Sequence, residues 1–421
     1  MAITLFTSFA LLLTFAVPIG IALGLSVMIA LLVDGAMPLE FLMKELTTSV
    51  NSFPLLAIPF FILAGEIMGR GGISRRLINV AESLVGSVVG GTALTAIVTC
   101  MFFAAISGSG PATVAAVGGI MIPAMVSKGF DRKFATAVVA SAGSIGVIIP
   151  PSIPMVMYGV TGSVSIGDMF IAGILPGILV GIGLMVYSYY FSKKNGYLGN
   201  GKKISVINIL KEIWNAKWSL LIPVIILGGI YGGVFTPTEA AAVAVFIGFI
   251  IGVFFYRELK LKELADIFIE SALMTATILI IVGTATAFGK LLAMEQIPNK
   301  IAESFLSISS NPTVVILLII LLLLIVGCFM DTIAAIIILT PILLPVAKLV
   351  GFDPIHFGII MIVALAIGFI TPPVGVNLFV GAGISGLSLE ALSKAIIPFI
   401  VAMVIVLLII MFIPALSLIL L

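Results

Sequence analysis

The sequence contains few charged residues, and this scarcity limits the class of protein that it can encode. Only 9% of its 421 residues are Asp, Glu, Lys or Arg, whereas soluble domains contain about 25%. Hydrophobic residues make up 62% of the chain. The net charge of +2 excludes the strongly basic surface of a nucleic-acid-binding protein. We therefore predict an all-α polytopic membrane protein with no nucleic-acid partner.

Catalytic groups and processing signals are scarce as well. The chain has one histidine, His356, which we expect to be a solvated loop residue, and two cysteines, Cys100 and Cys328, both in apolar runs. It contains no His-Glu-x-x-His, paired-aspartate or Gly-x-Ser-x-Gly motif, so we predict that it is not an enzyme. The N-terminus lacks a basic n-region and a cleavage site, which favours a retained first span over a signal peptide.

Apolar runs are abundant, and a membrane span needs about 20 such residues. Two regions, about 87–127 and 313–347, are interrupted by polar residues and could each be two spans or one re-entrant hairpin. The segment 202–218 alternates lysine with Ile and Trp, which predicts an interfacial amphipathic helix. Nine runs are predicted to span: roughly 5–33, 49–69, 134–160, 169–192, 218–235, 238–256, 264–289, 357–383 and 395–420.

The positions of the basic residues predict the orientation. If the N-terminus is cytoplasmic, the cytoplasmic loops contain all of the 20 Lys and Arg residues except Lys44, Lys290, Lys300 and Lys348. Such a bias follows the positive-inside rule. Replacing each hairpin by two spans leaves the side of every later loop unchanged, so charge does not decide between hairpins and paired spans.

An internal repeat does favour hairpins. The tripeptide Gly-Phe-Asp at 129–131 recurs 222 residues later, at 351–353. The same offset pairs Gly146 with Gly368, Pro150-Pro151 with Pro372-Pro373, Gly159 with Gly381, and Ser109 with Asp331. Because the two copies start on opposite sides in the charge map, we predict inverted repeats, which are typical of secondary transporters. The predicted divisions are a first repeat at 1–192, a cytoplasmic amphipathic linker with a linking span at 193–237, and a second repeat at 238–421.

The interruptions in each repeat predict a binding site. Unpaired backbone survives in a membrane only where it is buried in protein or lines a cavity. Each proline also removes an N–H group and frees the carbonyl four residues earlier. The freed carbonyls would be those of Gly146, Val147, Gly368 and Phe369. Such carbonyls, near the tips of two hairpins, suit a small hard cation such as sodium.

Four motifs carry a resemblance to a known family: "ISGSGPATVAAVGGIMIPAM", "GSIGVIIPPSIPMVMYG", "GVFTPTEAAAVA" and "GFITPPVGVN". Over essentially its whole length the chain resembles the large membrane (M) subunit of tripartite ATP-independent periplasmic (TRAP) transporters. The resemblance implies a multi-pass protein of the bacterial inner membrane that imports organic acids with two or more sodium ions by an elevator mechanism. It also implies a separate small four-helix membrane subunit and a soluble periplasmic binding protein.

The same resemblance implies roles for individual residues. The first sodium site would comprise Ser107, Gly146, Ile149 and Pro151, and the second Gly327, Gly368, Thr371 and Val374. Substrate contacts are expected at Ser109, Asp331 and Ser152, and Asn377 is a further candidate because it follows the second proline pair. Asp331 would either contact the substrate or cap the helix that follows it.

The substrate is the least determined feature. Overall likeness favours sialic acid (N-acetylneuraminate), and Asp331 would accept hydrogen bonds from its hydroxyl groups. A TRAP importer of C4-dicarboxylates and a dicarboxylate carrier that needs no binding protein remain alternatives. An ion channel is disfavoured because a continuous pore needs no pair of inverted, interrupted repeats.

Overall fold

The computed structural model describes residues 1–35, 37–201, 205–309 and 311–421, and within these ranges all side chains except those at 302, 304–306 and 308. Every regular element in these ranges is helical. The α-helices are α1 Ala2–Thr14, α2 Ile19–Asp34, α3 Glu40–Thr48, α4 Ala57–Arg70, α5 Ile73–Val85, α6 Gly91–Ser107, α7 Gly110–Ser127, α8 Arg132–Gly143, α9 Ile153–Gly162, α10 Ile166–Lys194, α11 Val206–Asn215, α12 Lys217–Tyr231, α13 Pro237–Ile250, α14 Leu264–Met294, α15 Ile297–Ile308, α16 Pro312–Gly327, α17 Thr332–Leu349, α18 Pro354–Gly368, α19 Val376–Ser385, α20 Leu389–Phe412 and α21 Ala415–Leu418. Short 3-10 turns cover Phe53–Leu56, Ser144–Val147 and Leu261–Glu263, and a π-helical turn covers Ile251–Phe255.

Seven helices in the described ranges are long and apolar enough to cross a membrane, or eight if α11 and α12, which meet at 71°, count as one broken span. The seven are α4, α7, α10, α13, α14, α17 and α20, some of them with an adjoining short turn. The chain is therefore a multi-pass membrane protein. The predicted spans at 134–160 and 357–383 are each broken into two short helices, as the proline pairs indicated.

The prediction of a single span at 5–33 is wrong. Residues 2–14 and 19–34 form two short helices, α1 and α2, that pack against each other. The break lies at Ala16, which has a positive φ of 56°, and at Pro18, which has no N–H to continue the helix. The 13 residues of α1 rise only about 20 Å, which is too short for a hydrocarbon core about 30 Å thick.

The repeat is visible in the positions of the helices. At an offset of 222 residues, α16 to α20 begin within one residue of α6 to α10. The turns agree too, because Gly129 and Gly351 have φ values of 85° and 84°. Asp131 and Asp353, which follow the two glycines closely, both cap the next helix through a side-chain oxygen. Each repeat therefore contains a helical hairpin, a broken helix pair and a long helix in the same order.

The two repeats interlock at their broken helices. In the second repeat α19 packs on α7 and α8 of the first, and in the first repeat α9 packs on α17 of the second. Tyr158 of α9 reaches across to α18, where its hydroxyl donates to the carbonyl of Pro354 at 2.6 Å. The long helix α14 lies outside this interlocked core and packs on α2, α3, α4 and α17.

The predicted amphipathic segment is partly described. α11 has no buried residue, and its apolar side chains, among them Trp214, are exposed to the surroundings. This matches an interfacial helix. Lys202, Lys203 and Ile204, which belong to the predicted segment, lie outside the described residues.

His356 contradicts the prediction of a solvated loop residue. It lies in the first turn of α18, is almost completely buried, and has its ring stacked on Phe352 with centroids 5.8 Å apart. Asp353 caps α18 by accepting hydrogen bonds from the backbone N–H groups of Ile355 and His356. This cap draws the loop into the helix, and His356 is thereby turned into the protein.

Candidate functional site

Three oxygen atoms converge at the tip of the first hairpin. The chain leaves α6 at Ser107, passes through Gly108 with φ of 60°, and enters α7 at Ser109. The Thr113 hydroxyl donates to the carbonyl of Ser109 at 2.7 Å and lies 2.9 Å from the Ser107 hydroxyl. The Ser107 hydroxyl oxygen lies 3.3 Å from the Ser109 carbonyl oxygen. The tip therefore concentrates uncharged oxygen ligands, which is the chemistry of a sodium site.

The first broken helix pair lies directly against this tip. A Cβ atom at Gly146 would be 2.5 Å from the Ser109 carbonyl oxygen and 2.6 Å from the Thr113 hydroxyl. On the other side of the break, Ile153 donates its backbone N–H to the carbonyl of Gly108 at 3.4 Å. Only glycine, which has no side chain, allows residue 146 to lie so close to the tip. Ser107 and Gly146 therefore both lie beside Thr113, and their binding of sodium stays a prediction.

Of the other two residues in the predicted first set, Pro151 borders the tip through its backbone. The carbonyl oxygen of Pro151 would lie 2.8 Å from a Cβ at Gly108. The side chain of Ile149 packs against Gly177 of α10 and so turns away from the hairpin. Any contribution of Ile149 to an ion site is therefore restricted to its carbonyl.

The second set meets in the same way. A Cβ at Gly368 would be 2.6 Å from the Cα atom of Gly327, and still closer to its carbonyl oxygen. Thr371 donates its backbone N–H to the Gly368 carbonyl at 3.0 Å and its hydroxyl to the Ile367 carbonyl at 2.7 Å. Val374 is 39% exposed, so its neighbourhood is more open than the buried first loop.

Three of the four carbonyls that the prolines were predicted to free have other donors. Ser152 donates its hydroxyl to Val147 at 2.6 Å, Asn377 donates its backbone N–H to Phe369 at 3.0 Å, and Thr371 bonds Gly368. The prolines do remove the helical donors, but buried carbonyls elsewhere in a loop acquire new ones. These three carbonyls can accept an ion only through their second lone pair.

Ser109 and Asp331 occupy equivalent positions and both cap helices. The Ser109 hydroxyl accepts from Ala112 N at 3.5 Å, and an Asp331 carboxylate oxygen accepts from Ile333 N at 2.9 Å. Asp331 is half-buried, and nearby Phe329 is 59% exposed. The cap anticipated for Asp331 is therefore present, and the residue as a whole is only partly buried.

The remaining two predicted substrate residues are fully buried. Ser152 caps α9 by accepting from Met155 N at 3.3 Å, in addition to its bond to Val147. Asn377 donates to Ala140 O and to Ser144 Oγ, both in the first repeat. Their hydrogen bonds go to protein, and their contact with a substrate stays a prediction.

A cavity of about 320 Å³ separates α14 from α9 and α17. Its polar lining includes Thr161, Thr286 and Lys290. The Lys290 ammonium pairs at 2.6 Å with the carboxylate of Glu45 on α3. The Glu45 residue is almost fully buried. α14 therefore contacts α17 of the core directly and also borders a cavity, beside which Lys290 pairs with α3.

Residues 6–416 match the family described as tripartite ATP-independent periplasmic transporter, DctM component. The chain belongs to the DctM family. Its members are transporter permease components and not enzymes, which confirms the prediction from the missing catalytic motifs.

Several relatives agree over nearly the whole chain. The isethionate TRAP transporter permease protein DctMQ of Oleidesulfovibrio alaskensis is 51% identical over 98% of this chain, and the chain spans 65% of that relative's length. The C4-dicarboxylate TRAP transporter large permease protein DctM of Pseudomonas aeruginosa is 43% identical over 94% of this chain and 93% of its own. The sialic acid TRAP transporter large permease protein SiaM of Vibrio cholerae is 39% identical over 96% of this chain and 94% of its own.

A solved structure shares the fold. The YdaH transporter of Alcanivorax borkumensis, described as having an unusual topology, superposes with a TM-score of 0.66 at 16% identity and covers 91% of this chain and 89% of its own. This similarity supports the fold alone. The relatives do not support the expectation that likeness favours sialic acid, because the proteins named for isethionate and C4-dicarboxylates are more similar.

Two residues that no sequence motif indicated also lie in the site. Thr113 lies one helical turn after Ser109, and its hydroxyl completes the oxygen cluster at the first tip. Ser144 begins the turn that contains Gly146 and receives the amide of Asn377. The spacing of four between Ser109 and Thr113 was a readable signal, since residues so spaced share a helix face.

Proposed function

We propose that this chain is the membrane permease of a sodium-coupled importer of small organic anions. One observation carries the proposal: each repeat presses a glycine of its broken helix against the tip of its own hairpin, Gly146 on Ser109 and Gly368 on Gly327. Both junctions bring backbone oxygens together, and the first adds the hydroxyls of Ser107 and Thr113. Interrupted transporter helices bind sodium through such oxygens.

The two sodium sites would use the residues that these junctions bring together. The first is assigned to the oxygens of Ser107, Ser109, Thr113 and Gly146, with the carbonyls of Ile149 and Pro151 at its border. The second is assigned to carbonyls of Gly327, Gly368, Thr371 and Val374. The second lacks a hydroxyl equivalent to Ser107, because Phe329 occupies that position in the repeat. We therefore expect the second site to bind sodium more weakly.

The interlocked repeats would move as one body in an elevator mechanism. Because α9 packs on the second repeat and α19 on the first, neither hairpin can shift without the other. α14 contacts this core at α17 and borders a cavity beside Lys290. We propose that α14, α4 and α13 belong to the scaffold, and that sliding occurs at this boundary.

The substrate would be an anion small enough to lie between the two tips. A C2 sulfonate such as isethionate and C4-dicarboxylates are our first candidates, since the more similar relatives are named for them. Sialic acid remains a third. Two sodium ions with one monoanion carry a net charge of +1, which gains about 2.3 kcal/mol per 100 mV of membrane potential. Asp331 would contact hydroxyl groups of the substrate and Ser109 its anionic group.

The partners follow from the same proposal. A small membrane subunit, expected to have four helices and to be a separate chain, would bind the scaffold. A soluble periplasmic binding protein would deliver the anion. The complex would lie in the bacterial inner membrane with the N-terminus of this chain cytoplasmic, as the distribution of Lys and Arg predicts.

The test is uptake into proteoliposomes that contain this chain and its small partner. Labelled isethionate, succinate and sialic acid are supplied separately, with and without an inward sodium gradient and with and without the binding protein. We expect uptake of one of these anions that requires both. A potassium gradient of equal size serves as the control for osmotic and electrical effects.

Each other result has a defined meaning. Uptake with sodium but without any binding protein would replace the tripartite mechanism by a standalone carrier. Equal uptake with and without the inward sodium gradient would refute the two cation sites. No uptake of any of the three anions, from vesicles in which the complex is correctly assembled, would refute the substrate class.

A further inference from the structure

Asn377 crosses from one repeat to the other. It lies in the first turn of α19, four residues after Pro373, and is completely buried. Both hydrogen bonds of its side-chain nitrogen end in the first repeat. They reach the carbonyl of Ala140 in α8 at 3.1 Å and the hydroxyl of Ser144 at 3.2 Å.

Two glycines make room for this amide. A Cβ at Gly110 would lie 3.2 Å from the side-chain oxygen of Asn377, and one at Gly143 would lie 3.4 Å from its nitrogen. Because the Ala140 carbonyl only accepts, the nitrogen must face it, and the oxygen is turned toward Gly110 in the first turn of α7. In the first repeat, the Asn377 side chain is surrounded by four residues, which we call the receptacle: Gly110, Ala140, Gly143 and Ser144.

The receptacle touches both proposed cation sites. Ser144 starts the turn that presents Gly146 to the first hairpin tip. On the other side, the backbone N–H of Asn377 holds the carbonyl of Phe369, the residue after Gly368. The side-chain amide and the backbone N–H of Asn377 therefore join the second proline loop to the turn that contains Gly146.

The first repeat has no equivalent of Asn377. At the offset of 222 residues the first repeat has Met155, which cannot donate a hydrogen bond in return. The methionine sulfur packs against Gly173 of α10 instead. Removing one side chain therefore removes this polar link between the two loops.

We propose that Asn377 is a positioning residue that couples the two sodium sites, so that occupation of one favours the other. This inference rests on the sodium sites of the proposed function. Because a buried hydrogen bond stabilises a protein only modestly, we expect the loss of these two to change apparent sodium affinity by about tenfold.

The test uses the full-length chain purified in detergent and needs no transport. Thermal unfolding is followed as sodium chloride replaces choline chloride at constant ionic strength, and the half-saturating sodium concentration and the steepness of the titration are recorded. Asn377→Ala should raise the half-saturating concentration about tenfold and reduce the steepness from above one to one. Thr136→Val is the matched control, because Thr136 lies at the same α8–α19 contact but bonds only within its own helix.

A second pair of variants separates coupling from general loosening. Ser144→Ala should produce part of the same effect in the wild-type background and none in the Asn377→Ala background, since both remove the same link. Equal effects in the two backgrounds would overturn the coupling, as would an Asn377→Ala titration that superposes on wild type. A wild-type steepness of one would overturn it too, whereas no sodium response of the wild type would refute the sodium sites themselves.

Discussion

Gly146→Ala is the sharpest test of the first cation site. The added methyl carbon would lie 2.5 Å from the Ser109 carbonyl oxygen and 2.6 Å from the Thr113 hydroxyl, and real Cβ atoms essentially never approach closer than 3.0 Å. The tip or the turn must therefore retreat by about half an ångström. The oxygens that would bind the ion are the same atoms that have to move.

The expected size follows from the cost of overpacking, which is about 1–3 kcal/mol for an added methyl group in a tight interior. Without sodium, the turn can relieve this strain by moving away from the tip. Binding restores the close approach, so the cost falls on the bound state. Since about 1.4 kcal/mol corresponds to tenfold, we expect the half-saturating sodium concentration for uptake to rise between about 5-fold and 150-fold.

The assay compares sodium titrations of uptake and of thermal unfolding for Gly146→Ala, Gly119→Ala and wild type. Gly119 lies on α7, and no heavy atom lies within 4 Å of the position that its Cβ would occupy. Gly119→Ala should therefore titrate like wild type. If Gly146→Ala folds and its sodium titration stays within twofold of wild type, the assignment of this junction as a sodium site is wrong.

Five further variants test Gly368, Asp331 and the Lys290–Glu45 pair. Gly368→Ala places a methyl group 2.6 Å from the Cα of Gly327 and should likewise weaken sodium dependence of uptake, leaving the first site intact. Asp331→Asn keeps a helix cap whereas Asp331→Ala loses about 1 kcal/mol of it; uptake lost in both would indicate substrate contact, and uptake lost only in the alanine variant would indicate a cap. Lys290→Met leaves the buried Glu45 without its ion-pair partner and should lower the unfolding temperature. Glu45→Gln combined with Lys290→Met should restore most of that loss, and failure to do so would refute a paired role.

The fold class could be read from the sequence because lipid restricts the choices so strongly. A chain with this little charge must satisfy its backbone internally, and helices do so locally. The repeat could be read because glycines and prolines align at one offset, and each constrains the backbone in a way that neighbours rarely alter. The two short helices at the N-terminus, α1 and α2, were not predicted, because hydropathy does not distinguish one span from two short helices packed together.

Local chemistry was less readable where the burial of a residue is set by distant parts of the chain. His356 was expected in solvent, but the Asp353 cap and contact with α20 and α21 bury it. Prolines correctly located the breaks near Gly146 and Gly368, but not the donors that occupy three of the four carbonyls. Those donors come from residues whose position depends on the folded loop.

Four features could be predicted from the sequence: the helical membrane fold, the two repeats, the places where helices break, and the family to which the chain belongs. Those features depend on composition and on residues that act on their own backbone. The tertiary structure was needed to show that Gly146 approaches the carbonyl of Ser109 and that Asn377 bonds the opposite repeat. Such contacts join residues as much as 237 positions apart, and no local propensity specifies which distant backbone a side chain will meet.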